Sequence, residues 1–178
     1  MGDSEAYPGT IWVADHDTST IYVYEPADFG GGANAQPDET IKLTGDAAVL
    51  GENIFNTTGA GQTRAVSTSV GVSKTFVIKV WNDGTGSDSY LLQGPGSTIS
   101  FTAKYLKGAS GSTDITAAVT AGTYKTASLS PGKGVTIRLV ITIAANAPSG
   151  STQNWLVTAA SQQNSSAQDA VDAQLTTQ

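Results

Sequence analysis

Along residues 135–143, VTIRLVITI, the side chains fall into two alternating sets, Val135, Ile137, Leu139, Ile141 and Ile143 against Thr136, Arg138, Val140 and Thr142. Successive side chains of a strand point to opposite faces, so this stretch predicts a core strand with one buried side. Residues 74–82, KTFVIKVWN, repeat the pattern with Phe76, Ile78 and Val80, then end in Asn-Asp-Gly, residues that tolerate the positive φ of a turn. Residues 98–106 group Ile99, Phe101, Ala103 and Tyr105, and residues 154–161 group Trp155, Val157 and Ala159. Shorter strands are predicted at 62–68, 88–93, 115–119, 124–129 and 169–176. The turn-forming stretches GPGS, KGASGS, SPGKG and NAPSGS separate them at intervals of roughly 8–12 residues, the spacing of an antiparallel sandwich or barrel. Nothing with a 3.6-residue period is long enough for a packed helix, and SSAQDAVDAQL alone reads either way.

The front of the chain differs. IWVAD and TIYVYEP, around the polar HDTS, predict a β-hairpin, followed by the Gly/Ala/Pro-rich ADFGGGANAQPDE and then TIKL. The pattern divides the chain into an N-terminal arm, 1–44, and an immunoglobulin-like antiparallel β-sandwich, 45–178. An isolated two-stranded hairpin is marginal in water, and this one carries apolar residues at adjacent positions. Ile11, Trp12, Val13, Ile21, Tyr22, Val23 and Tyr24 therefore form a candidate assembly interface, with Trp12 and Tyr22 expected to oppose each other. The arm is expected to cover itself on its own sandwich or to add strands to a neighbouring subunit. A head-to-tail contact that does not close builds a filament.

Composition narrows the partners. Charged residues make up 13% of the chain, roughly half the usual share. The net charge is −6, with nine lysines and arginines, so no basic stripe is available for a phosphate backbone and nucleic acid is excluded as a partner. The absence of cysteine removes disulfides, zinc–thiolate sites and thiol nucleophiles. No apolar run approaches the ~20 residues of a membrane-spanning helix, so no membrane insertion is expected. The start, MGDSEAYPG, lacks the features of a signal peptide.

Few residues carry candidate chemistry. His16 lies in the hairpin turn, a poor platform for a catalytic relay. Asp15, Asp17 and Ser19 space like part of a calcium loop, but Thr20 stands where glycine belongs and Pro26 where the bidentate glutamate belongs, which excludes an EF-hand and leaves only an irregular calcium site open. Asp83 and Asp88, with Asn82, make a second weak calcium candidate, against the simpler reading of a side-chain-bonded turn. Otherwise no cofactor is expected. Gly-Lys-Gly at 132–134 lacks the spacing of a phosphate loop, and no carboxylates pair at a spacing that suggests a glycosidase. Asn56 and Asn164 head glycosylation sequons. Trp81 falls out of register with the inward set of its strand, which makes it a candidate glycan or partner contact.

Residues 46–178 resemble the immunoglobulin-like accessory domains of secreted bacterial proteins, the kind found beside alpha-galactosidases and in cell-adhesion-type repeats. The likeness rests on the strand ending in Asn-x-Gly, the aspartate before an aromatic in SDSY, Leu-x-Pro-Gly leading into the long alternating strand, and the Pro-x-Gly turn. Residues 9–41 are similar to a single NHL-type propeller repeat, with no sister repeat elsewhere. The resemblance implies a spacer, adhesion or glycan-associated module. The leading expectation is a non-enzymatic extracellular or cell-surface structural protein that self-assembles through its arm, by strand complementation, into a filament or array. The alternative is a glycan-binding accessory module of a larger secreted protein.

Overall fold

A computed structural model describes residues 34–178 together with the backbone of two short strands, 11–15 and 20–24. The two strands, β1 (Ile11–Asp15) and β2 (Thr20–Tyr24), form an antiparallel two-stranded sheet. Trp12 pairs with Val23, and Tyr22 pairs with Val13, so Trp12 and Tyr22 do not oppose each other as expected. The side chains of both strands, together with His16 and Asp17, lie outside the described residues.

Residues 35–178 form a separate compact unit. It is an all-β sandwich of two sheets. One has the order β3 (Pro37–Leu43), β5 (Ser73–Asn82), β9 (Gly134–Ile143), β7 (Phe101–Lys107), all antiparallel. The other has the order β4 (Thr63–Thr68), β11 (Gln168–Thr177), β10 (Thr152–Ser161), β6 (Tyr90–Gln93), β8 (Tyr124–Lys125). β4 runs parallel to β11, which makes this sheet mixed rather than antiparallel throughout.

The period-two sets meet between the sheets. Phe76, Ile78 and Val80 of β5 and Ile137, Leu139, Ile141 and Ile143 of β9 face Tyr90, Leu92, Trp155, Val157, Val171 and Leu175 of the opposite sheet, all essentially without solvent exposure. Trp155 meets the Phe101 ring edge-on at 5.6 Å and donates its indole N–H to Gly96 O at 3.1 Å, so the largest core side chain buries no unpaired polar group.

Three further expectations shift, and the strand predicted at 169–176 is present. Residues 37–43 belong to the sandwich as β3, because Glu39 and Ile41 carry the inward alternation already present ahead of residue 45. Residues 116–120 form a short helix, α1 (Thr116–Thr120), rather than a strand. Ile115 and Val119, four apart, both pack into the core, and the Asp114 carboxylate accepts the Thr116 N–H at 2.8 Å to start the turn. Ile99 precedes β7 and is 91% exposed, so it does not join the inward set of Phe101, Ala103 and Tyr105. The ambiguous stretch near the C-terminus is β11.

Asn82 closes β5 with every hydrogen-bonding site of its amide used. Its Nδ2 donates to Gly86 O at 2.8 Å and Leu129 O at 2.7 Å, while its Oδ1 accepts from Gly84 N–H at 3.0 Å and the Tyr90 hydroxyl at 2.8 Å. Removing one side of a buried network leaves its partners desolvated and unpaired, at ~1–3 kcal/mol each. Asn82→Ala is therefore expected to lower stability by roughly 3 kcal/mol or more, read from the urea midpoint at unchanged slope. A loss under ~1 kcal/mol would contradict this role.

Candidate functional site

The outer face of β5 carries Val77, Lys79 and Trp81, the complement of its buried set. Trp81 pairs across the ladders with Asp38 of β3 and Gly134 of β9. Gly134 lets the indole settle there, since a Cβ at that position would lie 2.9 Å from Trp81 Cε3 and 2.8 Å from Lys79 Cε. Lys79 Nζ sits 3.2 Å from the ring centroid, a cation–π contact that holds the ammonium over the aromatic face.

Two adjoining hollows share Trp81 and Glu52. One, about 290 Å³, lies between β3, β5 and the 44–62 loop, with Lys42, Lys79, Val49 and Thr136 among its walls. The other, about 260 Å³, is acidic, with Asp38, Glu52 and Asp83 around Asn53 and Gly132. A larger hollow of the sandwich, about 540 Å³, is elsewhere, against β4. It contains no aromatic residue, so the smaller pair beside Trp81 offers the richer chemistry.

A buried polar knot beneath the site shapes it. The Asp169 carboxylate of β11 accepts the Glu39 N–H at 2.6 Å, the Asn56 N–H at 3.0 Å and the Gln62 Nε2–H at 2.8 Å. Asn56 then folds its own loop, its Oδ1 accepting from the amides of Thr58 and Ala60 while its Nδ2 donates to Ala60 O. Gly51, at φ +101°, passes so close that a Cβ there would lie 2.5 Å from Glu39 O and 2.6 Å from Gln62 Oε1. The loop is thus drawn against β3, and Asn53 N–H donates to Asp38 Oδ2 at 3.3 Å.

These carboxyls are poised unusually. Burial, above the Asn53 hydrogen bond that opposes it, pushes Asp38 up to about 7, with the charges of Asp83, Asp169 and Glu52 adding to the rise. Glu39 has no exposure, and neither carboxyl oxygen makes a hydrogen bond among the described residues. Burial first, and then the Asp169 charge, holds it well above the ordinary range, although the Ala159 and Val171 amides lie near enough to pull it down. Asp83 is raised by burial and then by Glu52.

The structure separates the two aspartates of the second calcium candidate. Asp83 lines the acidic hollow, whereas Asp88 accepts from the Ser89 N–H and the Ser161 hydroxyl. Among the described residues no group of three His, Cys, Asp or Glu side chains could hold a metal ion. Asp15 ends β1, and its side chain is outside the described set. Asn164, like Asn56, closes a local turn, accepting from the Ser166 N–H at 3.2 Å. Trp81 was the site residue legible from register. Asp38, Glu39, Glu52, Gln62 and Asp169 were missed, although Asp169 shares parity with Val171, Ala173 and Leu175, and Glu39 with Ile41.

Neither known protein families nor curated proteins match this chain. Solved structures give faint likenesses. A FixG-related protein from Vibrio parahaemolyticus aligns at 12% identity and TM-score 0.42, over 80% of this chain and 96% of that one. A family 123 glycoside hydrolase from Clostridium perfringens aligns at 11% and 0.48, over 80% of this chain and 27% of the hydrolase, so the chain spans about a quarter of that protein. The secreted serine protease VesC from Vibrio cholerae aligns at 9% and 0.42, over 90% and 28%. At these scores no family follows.

The raised carboxyls fix the sign of a pH effect. In the unfolded chain Asp38 and Glu39 ionise near their ordinary values, whereas the folded state retains the protons to higher pH. Their stabilising contribution is complete below about pH 4 and is lost as pH rises through the folded pKa, near 7 for Asp38. Asp46 and Asp114, whose carboxyls are lowered, act below that window. The melting temperature is expected to fall between pH 5.5 and 8, and to fall less in Asp38→Asn/Glu39→Gln. A melting temperature that rises with pH across this interval would contradict the assignment.

Proposed function

We propose that the chain is a non-enzymatic, extracellular accessory module that holds a glycan against Trp81 on the outer face of the four-stranded sheet. The observation that carries this reading is the shared position of Trp81, the common wall of two small hollows with opposite polar linings. A sugar ring offers apolar C–H groups to an indole and hydroxyls around its rim. Here Glu52 and Asp83 accept from such hydroxyls, and Lys42 and Thr136 donate to them. Each hollow lies at or below the lower end of the ~300–1,000 Å³ typical of ligand sites, which suits one sugar ring in each. Lys79 occupies the aromatic face in the unliganded protein and gives way to the ring.

Self-assembly through the arm is a second reading with an observation of its own. β1 and β2 pair only with each other among the described residues, in a unit separate from the sandwich. A two-stranded sheet of that length gains stability only from something that covers it.

The glycan reading is tested by retardation of the full chain on gels containing neutral, acidic or amino polysaccharides. Trp81→Ala is expected to reduce retardation about tenfold or more, because stacking on an aromatic ring is worth ~1–3 kcal/mol in comparable recognition. Melting should change little, since the ring lies outside the core. Lys79→Ala, which uncovers the ring, should bind at least as well as the parent. Retardation unaffected by Trp81→Ala, or absent on every gel, would overturn the reading.

A further inference from the structure

Four strands bound the two sheets, and three of these edges are closed. β3 exchanges both Ile41 backbone bonds with Leu50 at 2.9 Å, and its Glu39 and Leu43 amides donate to Asp169 and Asp46. β7 is covered by its flanking segments, which accept from Ala103 N–H through Ser97 Oγ and from Tyr105 N–H through Thr116 Oγ1, both at 2.9 Å. β8 is only two residues long.

β4 is different. Asp172 N–H donates to Gln62 O at 3.1 Å and Gln178 N–H to Thr68 O at 3.0 Å, so the even-numbered residues of this parallel pair face β11. The N–H and C=O groups of one strand residue point the same way, and successive residues alternate. Thr63, Ala65 and Ser67 consequently turn theirs outward, and their small side chains are exposed. The edge lacks the usual blunting devices: no proline, no lysine, and one arginine that is tied down. That residue, Arg64, is paired with Asp46 at 2.6 Å, and its Nη1 donates to Ala65 O, leaving the second lone pair of that carbonyl free. Beside the edge opens the 540 Å³ hollow, walled by Ala47, Ala48, Leu50 and Ala65. In the segments that precede and follow the strand in sequence, Leu50 (39%) and Phe55 (45%), then Val70 (40%) and Val72 (39%), remain more than a third exposed.

We propose that β4 accepts strand β2 from the hairpin of a second copy of this chain. The inference rests on the second reading above and names its acceptor. β2, TIYVY, has five uncharged residues, close to the six of β4, and belongs to a sheet with no third strand among the described residues. The ten residues from Glu25 to Asn34 can span up to ~35 Å when extended, enough to reach a neighbouring molecule. Donor and acceptor are different surfaces of the chain, so the contact is heterologous and propagates head to tail. Main-chain bonds supply the affinity, and the hollow beside the edge, where Ala47, Ala48, Leu50 and Ala65 stand next to the Asp46–Arg64 pair, flanks the incoming strand.

Sedimentation of the full chain over a hundredfold concentration range tests this. The parent chain is expected to form concentration-dependent multimers. Ala65→Pro deletes an outward N–H, and Ser67→Lys places a charge on the edge; each should raise the concentration needed for assembly at least tenfold. Ser67→Lys should melt as the parent does, so it remains decisive if proline proves disruptive. Tyr22→Pro, which breaks the donor strand, should abolish assembly. Multimers that persist in Ser67→Lys but vanish in Tyr22→Pro would overturn β4 as the acceptor while leaving arm-driven assembly intact. A parent chain that stays monomeric throughout would overturn both, and the hairpin would then be covered within its own chain.

Discussion

One carboxylate joins the two layers at the edge where the candidate site lies. Asp169, on β11 of the five-stranded sheet, accepts from an amide of β3, an amide of the 44–62 loop and the side chain of Gln62, groups more than 100 residues away in sequence. A buried carboxylate without partners would be prohibitive; one with three donors is held, and it holds them. The edge strand β3, the loop that covers it and the beginning of β4 are all positioned from this single point.

The outer surface depends on that arrangement. With the loop pinned, Glu52 and Asn53 stand beside Asp38, Leu50 closes the β3 edge, and Trp81 acquires walls on two sides. The same loop reaches β4 through the Asp46–Arg64 pair, while the odd-numbered residues of β4 turn their backbone groups away from β11. The candidate site thus gathers on the outer face of one sheet, and among the described residues β4 bounds the other with no further strand paired to it. The acidic side of the Trp81 face carries protonatable carboxyls, and its aromatic is capped by a lysine, features that suit reversible holding of a polar ring.

Most of the core was legible because the strands with one buried face announce themselves by alternation. β5, β9 and β10 lie within one or two residues of their predicted ranges, as a period of two sustained over several residues leaves little freedom of register. The failures have physical causes. Ile115 and Val119 satisfy a helical spacing that a five-residue window cannot distinguish from a strand. Ile99 continues a parity that the backbone abandons before Phe101. The site was harder to see, because a carboxylate at an inward position of a strand reads as a surface residue unless its parity is followed. Asp169 and Glu39 both keep the parity of their apolar neighbours, and their meeting needs the pairing of sheets that lie far apart in sequence. Asp83 and Asp88 are five apart in the same connection between β5 and β6 yet face different surroundings, since Asp83 lines the acidic hollow while Asp88 is bridged to Leu129 and bonded to Ser161.

The organising role of Asp169 is tested most directly by hydrogen exchange at individual amides in Asp169→Asn, a change that keeps the side-chain shape but replaces an acceptor oxygen with a donor. The Glu39 and Asn56 amides are expected to exchange at least tenfold faster, together with the rest of the 50–62 loop, while the β5–β9 ladder keeps its protection. Unchanged exchange at residues 39 and 56 would show that the loop and the edge strand are held by something other than this carboxylate.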